Sequence, residues 1–158
     1  MKAASVKQLK DELSNCTREE LLEYCLRLSK FKKENKELLT YLLYDIENEN
    51  IYIEDVKTEL SEQFTEINTS SYYFIKKSTR KILRNTKKYI RYSKKVETEV
   101  ELLMHFCREL SEIKPPMEDN LALHNIYKRE INNIKKVISK LHEDLQYDYR
   151  EELEELPE

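Results

Sequence analysis

Apolar residues recur along this chain in steps of three and four almost from end to end, and no segment sustains the two-residue alternation of a strand. Ser5 and Gln8 stand three apart, as in a capping box, and predict a short first helix carrying Val6, Leu9 and Leu13. Thr17 and Glu20 repeat that spacing and open a second helix whose apolar face is Leu21, Leu22, Cys25, Leu26 and Leu28. From Asn35 a third helix is expected to bury Leu38, Leu39, Leu42 and Leu43 before the acidic stretch 45–50. Ile53, Val56, Leu60, Phe64 and Ile67 mark a fourth. A fifth runs from about Ser71 to Lys95, and a sixth follows through Val96, Val100, Leu103, Cys107 and Leu110 until Pro115 and Pro116 stop it. Asp119 is placed to cap a seventh, whose stripe runs through Leu123, Tyr127, Ile131, Ile134, Ile138, Leu141 and Leu145.

This pattern predicts an all-α fold. Its form is a single domain over residues 1–158, an array of about seven antiparallel helices joined by short loops, with an acidic tail at 147–158 that frays. Composition sharpens the picture. The chain has no glycine, where ordinary usage gives about eleven in this length. Phosphate-cradling loops, the dinucleotide fingerprint and the nucleophile elbow, all of which need glycine, are therefore excluded. Asparagine tolerates the left-handed conformation better than most residues, so Asn15, Asn48 or Asn50, and Asn68 are the expected helix stops.

No run of 18 apolar residues appears, and the opening Met1–Gln8 carries no apolar core of a leader, so a cytoplasmic location is expected. Cys16, Cys25 and Cys107 are odd in number and lack a Cys-x-x-Cys pattern, which fits reduced thiols, with Cys25 and Cys107 buried. His105, His124 and His142 are spaced too widely for a metal site, and His105 and Cys107, two apart, point to different sides of a helix, so no serine or cysteine is expected to form a dyad with a base. No catalytic residue, metal or cofactor is expected, and the chain reads as a non-enzyme.

Charge supplies the one chemical lead. Between Lys76 and Lys95 stand ten basic residues and no acidic one, leaving 18 of the 28 basic residues to set against all 31 acidic ones elsewhere. At about 100° per residue the ten fall within an arc of roughly 140°, opposite Ile75, Ile82, Leu83, Tyr89 and Ile90. Such a face suits a phosphate backbone, with Lys77, Arg80, Lys81, Arg84, Lys88 and Arg91 as contacts and the rings of Tyr73 and Tyr92 placed to stack on unpaired bases. Residues 45–66 hold eight carboxylates against the single Lys57, and these or the acidic tail are placed to cover the stripe.

Leu9-x-x-x-Leu13, Thr17-Arg-Glu-Glu-Leu-Leu and Lys33-Glu-Asn-Lys-Glu-Leu-Leu-Thr-Tyr-Leu-Leu, with weaker continuation through Lys87-Lys-Tyr-Ile-x-Tyr-Ser and Thr98-Glu-Val-Glu-Leu-Leu, resemble a family of small all-helical bacterial proteins classed as a domain of unknown function. The resemblance implies a cytoplasmic helical protein and supplies no catalytic residue. Two functional classes remain. One is a non-enzymatic adaptor or scaffold that offers its fifth and seventh helices to a protein partner or a second copy. The other is binding of RNA or single-stranded DNA through the basic helix 76–95.

Overall fold

The computed structural model describes all 158 residues, and the fold is all-α. Eight α-helices form where about seven are predicted, with no strand. The chain, read from sequence as one domain, divides into two compact units, Met1–Tyr44 and Asp45–Glu158, and passes between them through a π-type turn at Tyr41–Asp45.

The first unit holds α1 (Val6–Leu13), α2 (Arg18–Phe31) and α3 (Lys33–Thr40). The capping box forms as its spacing predicts: Gln8 N donates to Ser5 Oγ at 3.3 Å, and Ser5 N donates to Gln8 Oε1 at 2.9 Å. Thr17 caps α2 by accepting from Glu20 N at 3.1 Å. Lys32 takes an extended conformation that separates α2 from α3, which pack together, and Asn35 Nδ2 donates back to the Leu28 carbonyl at 2.8 Å.

The expected burial fails in this unit. Leu22, Leu26, Leu28, Leu38, Leu42 and Leu43 are exposed, Leu39 is half-buried, Phe31 is 77% exposed, and Cys25 lies at the surface. The physical reason is the small number of layers: two short packed helices screen only one strip of each other, so the remaining apolar residues stay in solvent.

The second unit contains α4 (Glu49–Thr65), α5 (Tyr72–Ser93), α6 (Val96–Ser111), a 3₁₀ turn at Met117–Asp119, α7 (Leu121–Ile138) and α8 (Glu143–Glu154). Here α6 is central, packing on α4, α5 and α7, while α7 also meets the 3₁₀ turn and α8. The predicted α4 stripe is buried throughout, as are Val100, Leu103, Cys107 and Leu110 of α6 and Leu123, Tyr127, Ile134 and Ile138 of α7. Each fully buried aliphatic or aromatic side chain contributes about 1.5–3 kcal/mol, so this core carries the stability of the unit.

Three expectations need correction. The long last stripe is two helices, because α7 ends at Ile138 and His142 caps α8, whose Asp144 N donates to His142 Nδ1 at 3.4 Å. Asn120, not Asp119, caps α7, its Oδ1 accepting from Leu123 N at 3.2 Å. The tail at 147–158 does not fray: Leu153 and Leu156 are buried, and Tyr127 Oη donates to the Pro157 carbonyl at 2.5 Å. The two leucines give the acidic tail an apolar edge long enough to dock.

Nor do the asparagines replace glycine. Lys94, at φ 60°, is the only left-handed residue, and it ends α5. The other helices close by turns within the right-handed region or by an extended residue, and Ser14 Oγ donates to the Lys10 carbonyl at 2.7 Å.

Candidate nucleic-acid interface

α5 is amphipathic because Ile75, Thr79, Ile82, Leu83 and Thr86 turn into the core of the second unit. The opposite face remains open. Lys77, Arg80, Lys81, Arg84, Arg91, Lys94 and Lys95 are exposed, and Lys76, Lys87 and Lys88 are half-buried.

The acidic segments leave most of this face uncovered. Of the ten, Lys87 pairs with Glu130 at 3.1 Å and Lys95 with Glu49 at 3.3 Å, and Lys88 lies 4.9 Å from the centre of the Tyr89 ring. No carboxylate reaches ion-pair distance of Lys76, Lys77, Arg80, Lys81, Arg84, Arg91 or Lys94. On α4, Glu54 pairs with Lys57, and Glu59 accepts from Tyr89 Oη at 2.7 Å. On α8, Glu152 pairs with Arg108 of α6 at 3.3 Å, and Tyr149 Oη donates to Glu101 of α6 at 3.0 Å. Of the carboxylates expected to neutralise the stripe, Glu49 reaches Lys95, whereas Glu54, Glu59 and Glu152 engage Lys57, Tyr89 and Arg108.

The two expected stacking rings separate. Tyr73 is 65% exposed and meets Phe74 edge to face with centroids 5.4 Å apart, whereas Tyr92 is buried and packs against Tyr89 at 6.0 Å. Tyr92 sits just beyond the basic arc, where neighbouring packing decides its side. Phe74, 42% exposed, is the aromatic that the wheel did not select, because nothing in its spacing distinguishes it from a core residue. Tyr73, Lys76, Lys77, Arg80 and Arg84 line a shallow groove of about 440 Å³ along α5. The site residues therefore gather as one open, cationic, aromatic-ended surface, with Tyr92 excluded.

A second polar cluster joins residues too distant in sequence for spacing to reveal. Ser61 Oγ lies 2.8 Å from His105 Nε2 and donates to Glu109 Oε1 at 2.9 Å. Burial holds the His105 ring below its usual pKa against the opposing charge of Glu109. Beside it, burial alone lowers the Lys57 ammonium, but the hydrogen bond and charge of Glu101 outweigh it and hold the group above its ordinary value. These groups tie α4 to α6. Burial likewise pushes the Cys107 thiol well up, aided by Glu130, and the Tyr127 hydroxyl to about 12. Neither is a nucleophile at neutral pH.

No helix is long and apolar enough to cross a membrane. No family model, curated protein or solved structure matches the chain.

Proposed function

We propose that this protein binds single-stranded nucleic acid through the basic face of α5. The supporting observation is the open ridge of Lys76, Lys77, Arg80, Lys81, Arg84, Arg91 and Lys94, seven cations without a carboxylate partner in a chain that is acidic elsewhere. Phosphates displace condensed counterions when they meet such a ridge, which is the main source of affinity. The exposed Tyr73 and Phe74 supply ring faces for an unpaired base, a contact that duplex DNA withholds.

Binding of a labelled single strand, followed by anisotropy, is expected to weaken steeply with salt. The log–log slope approaches about −5 if all seven cations engage, at about 0.7 per phosphate. Arg80→Glu with Arg84→Glu should weaken binding at least tenfold while leaving the helical spectrum unchanged, since both side chains are exposed. Absence of binding at low salt would remove this reading.

The second reading is a non-enzymatic adaptor role through protein contacts. It is favoured by the first unit, where Leu28 and Phe31 of α2 and Leu43 and Tyr44 of the π-type turn are each more than half exposed, an unusual density for a surface left in water. It moves the contact surface from α7, whose apolar face is spent in the core, to the first unit. Sedimentation that stays monomeric over a wide concentration range would count against self-association there. A cytoplasmic setting suits both readings, given three free cysteines.

A further inference from the structure

The edge of the basic stripe opens onto a cleft of about 440 Å³ where α5, α6 and α7 meet. Each helix contributes residues one turn apart: Lys87, Ile90 and Arg91 from α5, Glu99 and Leu103 from α6, and Asn133, Lys136, Val137 and Lys140 from α7 and its end. Four cations stand against two carboxylates. One of these, Glu130, is wholly buried and already saturated, its Oε1 accepting from Lys87 at 3.1 Å and Arg129 at 3.3 Å and its Oε2 from Asn133 at 3.0 Å. It fixes the cleft floor by holding Lys87 and Asn133 in place. Arg91, Lys136 and Lys140 remain exposed and without ion pairs on two facing walls.

We propose that this cleft seats a phosphomonoester dianion, and that it holds the terminal phosphate of the strand bound along α5. The second clause rests on the nucleic-acid reading above.

Three features select this ligand. Cations on opposing walls suit a compact dianion better than a singly charged internal phosphodiester, and a phosphomonoester carries about −1.5 to −2 at neutral pH. Arg91 offers the planar fork that grips two phosphate oxygens, with the lysines as point charges. The volume exceeds that of phosphate alone and falls within the roughly 300–1,000 Å³ of small-molecule sites, while Ile90, Leu103 and Val137 give apolar walls for a terminal nucleoside. Arg91 lies two helical turns beyond Arg84, about 10 Å along the axis, so a strand following the groove from Tyr73 reaches the cleft at its end.

The test compares a short oligothymidylate with free ends against the same strand carrying a 5′- or a 3′-phosphate. Adenosine monophosphate and inorganic phosphate serve as competitors. One terminal phosphate is expected to raise affinity about tenfold. Lys136→Gln with Lys140→Gln should abolish that gain and leave the unphosphorylated strand bound within twofold, whereas Arg80→Glu with Arg84→Glu should weaken all strands alike. The mononucleotide should compete for the gain and inorganic phosphate much less, which separates a nucleotide end from free phosphate. If neither phosphate changes affinity, or if the gain survives in the folded Lys136→Gln, Lys140→Gln variant, the inference is overturned: the two lysines then serve only the C-terminal end of α7. The nucleic-acid reading survives that result if the unphosphorylated strand still binds. Retention of the mononucleotide through Lys136 and Lys140, with no strand bound, supports the dianion seat and overturns the nucleic-acid reading.

Discussion

Single residues show where local rules held and where neighbours overruled them. Lys94 holds φ 60° at the end of α5, a conformation that costs a residue with a Cβ about 1 kcal/mol. Lys94→Gly is therefore expected to stabilise the protein by up to ~1 kcal/mol in urea unfolding, and a loss of stability would show that its side chain is needed there. His105 gives a pH signature. Its folded pKa lies below the ordinary 6.5, chiefly through burial, so the unfolded chain takes up a proton that the folded chain resists. Stability from this ring is full above pH 6.5 and falls as the pH drops toward the lowered folded value. Urea midpoints taken between pH 7 and 5 should show that decline, and His105→Asn should flatten it. The capping pairs Ser5 with Gln8 and Thr17 with Glu20 were legible from sequence because both partners lie within one turn. The contact of Ser61 with His105 was not, since 44 residues separate them and only packing of α4 on α6 joins them.

At the level of elements, a periodic stripe located helices well but said less about what each stripe meets. α4, α6 and α7 bury the residues their spacing selects, whereas α2 and α3 show the same leucine periodicity and leave much of it in solvent. Periodicity records that a face exists, and burial requires a second layer. α8 illustrates the converse, since Leu153 in the helix and Leu156 just beyond it, among the five glutamates of 147–158, suffice to dock it when α7 lies beside it. Leu153→Ala with Leu156→Ala is expected to cost a few kcal/mol and to release α8, because truncating buried leucines typically costs about 2–5 kcal/mol each and these two lie at the rim. Hydrogen exchange should then quicken in 143–154 while α6 stays protected. Equal quickening throughout would mean that α8 belongs to the same cooperative unit as the core.

The whole molecule divides its tasks unevenly. Nearly all large buried side chains lie in the unit Asp45–Glu158, so a fragment of residues 45–158 should unfold cooperatively with a melting temperature close to that of the full chain. Residues 1–44 alone should show weak, non-cooperative helicity, because helices this short need tertiary packing to persist. A cooperative transition in the shorter fragment would contradict that assignment. The same division separates the two functional readings, with α5 in the larger unit and the exposed leucines in the smaller. By itself the sequence determined the all-α class, most helix positions and the polarised charge, because capping, periodicity and composition act within a few residues. Only the tertiary structure decided that the basic face of α5 stays open, that Tyr92 is withdrawn from it, and that Lys136 and Lys140 join its edge. Those outcomes depend on which helices share a core, and the pairing of distant helices is written in no local spacing.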